Sequence, residues 1–113
     1  MLHLFPRWHR FDWGRFTDYS RWVIGAAQHC AYAEQTPTIN VDHLIRAVNL
    51  VRAELYRPAT MPTAPIAMAA PKPFSSEARD VIALAWKIKN RRWNRYLQVD
   101  HIEDALKEHR RRK

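Results

Sequence analysis

The tripeptide Val-Asp-His occurs twice, so the chain carries two adjacent aspartate–histidine pairs, Asp42–His43 and Asp100–His101. Carboxylate and imidazole are the parts of a general acid–base site, and imidazole is also a common metal ligand. The spacing supports neither chemistry. Neighbouring residues on a helix point in different directions, so Asp42 cannot orient His43 as a triad would require. The six histidines (3, 9, 29, 43, 101 and 109) contain no HxH or HxxxH pair, and converging ligands are what a metal site needs. Cys30, the single cysteine, falls on an apolar stripe and reads as a small core residue. Sequence order supplies no Ser–His–Asp or Cys–His arrangement. The two glycines, Gly14 and Gly25, are too few for a glycine-rich phosphate loop. The expectation is therefore no catalytic residue, no metal and no cofactor. Asp42 and Asp100 read first as helix N-caps, and His43 and His101 as packed side chains or partners of a backbone group.

A second constellation is basic. Lys87, Lys89, Arg91, Arg92 and Arg95 interleave with Trp93 and Tyr96, and Arg110, Arg111, Arg112 and Lys113 close the chain. The net charge is +8, of which residues 1–56 carry +1 and residues 57–113 carry +7. Cations mixed with aromatics are the means by which proteins contact phosphates and stack bases. The competing reading is a solvated loop with one anchoring tryptophan, followed by a frayed basic tail.

These residues sit on a pattern that extends well beyond the tripeptide. Shifting residues 16–48 onto 74–106 aligns nine identities without a gap. They are Phe16/Phe74, Arg21/Arg79, Val23/Val81, Ile24/Ile82, Ala27/Ala85, Val41/Val99, Asp42/Asp100, His43/His101 and Ala47/Ala105. Chance pairing would give about two. Each unit reads as two helices. Thr17 and Ser75 suit the N-cap of the first, which should end near residues 34 and 92, with Pro37 enforcing the first stop. Asp42 and Asp100 should start the second, with Glu103 completing a capping box. Leu44, Ala47, Val48, Val51 and Leu55 form the apolar face of one copy, and Ile102, Ala105 and Leu106 that of the other. Ile39 and Leu97 should plug the core from the loops.

The chain of 113 residues is the size of one domain and can bury roughly two thirds of its unfolded surface. Residues 1–15 form an aromatic extension that folds back on the domain or docks on a partner. Residues 16–56 are the first repeat, and 57–73, with five of the seven prolines, an extended linker tacked down at Ile66 and Met68. Residues 74–109 are the second repeat and 110–113 a basic tail. The start is not a signal peptide, because Pro6, Arg7, His9 and Arg10 interrupt it, and no stretch approaches the ~20 apolar residues of a membrane span. These features predict a cytoplasmic protein.

The ordered pair FTDYSRWVIGAAQHC…INVDHLIRAV and FSSEARDVIALAWKI…LQVDHIEDAL resembles the amino-terminal domain of Clp-family AAA+ unfoldases, the double Clp-N motif. It covers about residues 16–56 and 74–109. The resemblance implies an all-α fold of two pseudo-symmetric helical repeats joined by the proline-rich linker. It further implies a non-catalytic module that docks adaptor proteins or degradation substrates, as a component of Clp machinery. In some family members a pocket between the Thr helix start and the acidic–histidine helix start binds phosphoarginine, which maps here onto Thr17, Asp42, Ser75 and Asp100. The chain departs from the family in four ways, the first being that the aromatic extension, residues 1–15, has no counterpart there. Asp stands where Glu is usual, the linker replaces further helices, and no GxxxxGK[ST] is present, so the motor is absent from this sequence. Protein or peptide binding in the groove between the repeats is thus the first expectation. A small basic nucleic-acid-binding protein, using residues 87–95 and 110–113, is the alternative.

Overall fold

Thr17 and Ser75 cap the helices that follow them, as their positions after a phenylalanine predict. The Thr17 hydroxyl accepts the Ser20 amide at 3.1 Å and the Ser75 hydroxyl the Ala78 amide at 3.1 Å. The computed structural model describes residues 13–56 and 72–112. These residues are all-helical, with α1 at Asp18–Glu34, α2 at Val41–Arg52, α3 at Ser76–Arg91 and α4 at Val99–Arg111. A 3-10 turn, Trp13–Arg15, leads into α1. Most of the aromatic extension, and the linker with Ile66 and Met68 except its last two residues, lie outside the described residues. Within these residues no helix is long and apolar enough to cross a membrane.

Two expected caps are corrected. The N-caps of α2 and α4 are Asn40 and Gln98, two residues ahead of Asp42 and Asp100. The reciprocal partner is the histidine at the third helical position. His43 Nδ1 accepts the Asn40 amide and His101 Nδ1 the Gln98 amide, each at 2.9 Å. This takes the place that Glu103 was expected to fill. The aspartates instead occupy the first turn, where their charge complements the helix dipole.

Three helices stop without glycine. Gln35, Glu54 and Trp93 adopt φ of 58°, 59° and 59° at the ends of α1, α2 and α3. Each forms a Schellman motif, in which the left-handed residue and its successor return their amides to carbonyls of the last turn. At α1 these bonds are Gln35 N–H to Tyr32 O at 3.0 Å and Thr36 N–H to Ala31 O at 3.1 Å. At α3 they are Trp93 N–H to Asn90 O at 3.0 Å and Asn94 N–H to Lys89 O at 3.1 Å. A side chain in this region costs about 1 kcal/mol. Gln35→Gly is therefore expected to stabilise the fold by about 0.5–1 kcal/mol, seen as a higher urea midpoint with an unchanged slope. An unchanged or lower midpoint would show that the Gln35 side chain compensates for its backbone strain.

The two helical hairpins, α1–α2 and α3–α4, are tied crosswise. Phe16 forms a parallel bridge with Leu97, and Phe74 a parallel bridge with Ile39. Thr17 N–H reaches Leu97 O at 3.0 Å and Leu97 N–H reaches Arg15 O at 2.7 Å, while Ser75 N–H reaches Ile39 O at 2.9 Å and Ile39 N–H reaches Pro73 O at 2.8 Å. Every partner in the second pair of bonds is its counterpart in the first, 58 positions away, forward for Ser75 and Pro73 and backward for Ile39. Ile39 and Leu97, both fully buried, plug the core from their loops as expected, together with Phe16, Phe74, Leu44 and Ile102. Gly25 lets Tyr56 approach α1, since a Cβ there would lie 2.6 Å from the Tyr56 hydroxyl. Tyr56 is buried, which raises its pKa.

Three further expectations are corrected. Leu55 lies past the end of α2 and is 70% exposed, so it does not extend the apolar face. Cys30 is only half-buried and stands outside the core, although burial still raises its thiol pKa. The basic tail begins as helix, because α4 runs through Arg110 and Arg111. Its last turn carries His109, Arg110 and Arg111, cations that suit a helix C-terminus.

Candidate functional site

The crosswise bridges set the start of α1 beside the start of α4. Leu97 joins Phe16, so Thr17 faces Gln98, Val99 and Asp100, and the Ser20 hydroxyl seals the junction by donating to Leu97 O at 2.9 Å. A cleft of about 380 Å³ opens here, lined by Thr17, Tyr19, Arg52, Glu54, Gln98 and Asp100 among others. Two helix N-termini converge on it, and its lining sets the carboxylates of Glu54 and Asp100 with the Arg52 guanidinium. The Thr17 hydroxyl is already committed to its cap, and it also donates to the Ser20 hydroxyl at 3.1 Å.

Arg52, at the end of α2, reaches into this cleft. Its guanidinium lies 2.5 Å from Asp100 Oδ1 and 2.7 Å from Glu103 Oε1. That hydrogen bond holds the Asp100 carboxyl below the usual carboxylate range. The partners are 45%, 62% and 36% exposed, so the triad is a surface network whose contribution to stability is small. Sequence reasoning missed Arg52. It lies 48 residues from Asp100 and no local pattern links the two.

At the opposite end, the Phe74–Ile39 bridge sets Ser75 beside Ile39, three residues ahead of Asp42. Asp42 is exposed and makes no ion pair among the described residues. Glu34 lies at the far end of α1 and links that helix to α2 through His43 Nε2 at 2.8 Å and Arg46 at 2.5 Å. Those two hydrogen bonds hold its carboxyl low, His43 more than Arg46. Thr17 and Asp100 thus share one cleft drawn from both hairpins, while Ser75 is tied to Ile39 in the loop that leads to Asp42.

The histidines at these helix starts are structural. His43 and His101 are each 1% exposed, and both ring nitrogens are engaged. Because Nδ1 accepts a backbone amide, Nε2 carries the proton of the neutral ring and donates to Glu34 in one case and Asn94 in the other. Within the described residues no group of His, Cys, Asp and Glu is arranged to hold a metal ion.

Of the expected polyanion contacts, Lys87, Arg91, Arg92 and Arg95 are exposed. Lys89 is not. It is 4% exposed, with its ammonium 2.8 Å from Asn90 Oδ1, 3.3 Å from Asn94 O and 4.6 Å from the centre of the Trp86 ring. Burial, then the nearby Arg15 charge, lowers its pKa. It fastens the end of α3 and cannot meet a ligand. The anchoring tryptophan of this region is Trp86, packed on the core, whereas Trp93 is 94% exposed. No family model matches the chain, and no curated protein matches it.

Proposed function

We propose that the chain is a protein- or peptide-binding module without catalytic activity, built from two pseudo-symmetric Clp-N-like repeats over residues 16–56 and 74–109 that the 57–73 linker joins. Its ligand is a segment of a partner protein or a degradation substrate. The observation that carries this reading is the crosswise exchange of Phe16 and Phe74. Equivalent backbone bonds, 58 residues apart, bring the Thr17 and Ser75 helix starts to the helix starts of the other half. In a Clp-N-like module such paired ends receive the ligand. Asp100 already binds the Arg52 guanidinium, so an arginine-bearing peptide has a ready acceptor there once Arg52 swings away.

Titration of arginine-containing peptides, with and without phosphorylation of the arginine, into labelled protein tests this by amide NMR. Shifts are expected at Thr17 and Gln98–Asp100, and at Ser75 and Asn40–Asp42. Asp42→Ala combined with Asp100→Ala is expected to weaken binding at least tenfold, about 1.4 kcal/mol. Both aspartates are exposed, so the melting temperature should change little. Equal affinity in that double variant, or shifts confined to other surfaces, removes the reading.

A further inference from the structure

Trp93 has no structural reason to be a tryptophan. Its backbone role, ending α3 at φ 59°, is performed 58 residues earlier by Gln35 at φ 58°, and its side chain is 94% exposed. An indole in this state gives up little surface to the fold and holds a strained backbone position that glycine would relieve. It is nevertheless well positioned. The paired amides of the Schellman motif pin its backbone, and the buried Lys89 ammonium braces the same loop through Asn94 O.

Its sequence neighbours Arg91 and Arg92 line a groove of about 430 Å³ between the end of α3 and α4, together with Asp104, Lys107, Glu108 and Arg111 among others. Its two carboxylates are already neutralised. Asp104 pairs with Arg92 at 2.6 Å and Glu108 with Arg112 at 2.6 Å. Arg91, Lys107 and Arg111 are exposed and make no ion pair among the described residues. Arg95 and Lys87 add exposed charge nearby, and Tyr96 is 46% exposed.

We propose that this end of the molecule binds single-stranded nucleic acid, with an unpaired base stacked on Trp93 and backbone phosphates held by Arg91, Lys107 and Arg111. Each feature of the surface has a counterpart in that ligand. The free cations answer a row of phosphates, and the bare indole answers a base face. An acidic peptide would satisfy the cations but leave the indole without a flat partner. Duplex DNA hides its base faces. A membrane anchor needs an apolar helical face, and the outer residues of α3 and α4 here are charged. The groove shares no lining residue with the Thr17–Asp100 cleft and does not depend on its assignment.

The test is fluorescence anisotropy of the full chain with labelled oligo-dT and oligo-rU of about 12 nucleotides, within the site sizes of such binders. Binding is expected at low salt, with a slope of log affinity against log salt near −2 for three phosphate contacts. Trp93→Gly is expected to weaken binding roughly tenfold or more while keeping that slope and raising the melting temperature. Arg91→Ala, Lys107→Ala and Arg111→Ala should each reduce the slope by about 0.7. The same duplex-annealed oligonucleotide should bind more weakly and be indifferent to Trp93→Gly. The proposal is overturned by no binding at low salt, or by single-strand affinity unchanged in Trp93→Gly. It is equally overturned if polyglutamate or phosphatidylserine vesicles bind as tightly as oligo-dT with the same dependence on Trp93.

Discussion

Phe16→Ala is expected to destabilise the protein by about 3–5 kcal/mol, enough to unfold much of a domain whose whole stability is about 5–15 kcal/mol. Phe16 is 2% exposed although it belongs to no helix. Its backbone bridges to Leu97, and its ring lies 5.9 Å from that of Trp86 on α3. Removing it leaves a cavity at the seam between the hairpins, bounded by α1 on one side and by α3 and the α4 entry loop on the other. Neither hairpin can collapse to fill it without losing the backbone bonds of the Arg15–Leu97 ladder. The loss should therefore appear as one cooperative transition at lower urea concentration, with helical circular dichroism and tryptophan fluorescence moving together. Phe74→Ala, at the equivalent seam with Ile39, should behave alike, though Phe74 at 7% exposed has slightly less to lose. A loss under 1 kcal/mol, or two separate transitions, would falsify the view that each hairpin is completed by the other's entry phenylalanine.

The helices and their faces were legible in the sequence because they depend on local spacing. Val23, Ala27, Val81 and Ala85 recur at helical period and are all buried, and Thr17 and Ser75 announce their caps through short-range chemistry. The α2 and α4 caps were displaced by two residues because the reciprocal partner is histidine, whose ring nitrogen performs the role usually given to glutamate. Lys89 was misplaced for a different reason. Its counterpart 58 residues earlier is Ala31, fully buried, so the position faces inward whatever occupies it. A lysine fits only because its stem is apolar and its ammonium finds Asn90, Asn94 and the Trp86 ring. Charge alone cannot reveal that. Arg52 in the cleft depended on tertiary placement of the end of α2 against the start of α4, a relation that no periodicity encodes.

His101→Ala is expected to cost about 3 kcal/mol, because it removes a buried ring and strands two polar groups. The Gln98 amide loses its acceptor Nδ1, and Asn94 Oδ1 loses the Nε2 proton, each contact being 2.8–2.9 Å in the folded protein. The same geometry makes the protein sensitive to acid. Protonating the ring places a second donor against the Gln98 amide inside the core. Burial first, and then the Arg92 guanidinium, hold the pKa of His101 below its usual 6.5, against the opposing pull of Asp100 and Asp104. The unfolded chain therefore takes up the proton before the folded one. The stability contributed by neutral His101 is complete above about pH 6.5 and is lost as the pH falls from there toward the depressed folded value. Asp100 and Glu34 are also held low, but their contributions fade only below the ordinary carboxylate values of 3.8 and 4.5, so the windows separate. Urea midpoints measured at pH 7.5 and 5.5 should fall with acidity in the parent. His101→Gln, which does not titrate, should be less stable at pH 7.5 and should flatten the dependence between those two values. If the variant keeps the parent's full pH dependence, proton uptake at His101 is not what weakens the fold in mild acid, and the burial of its neutral ring must be reassigned.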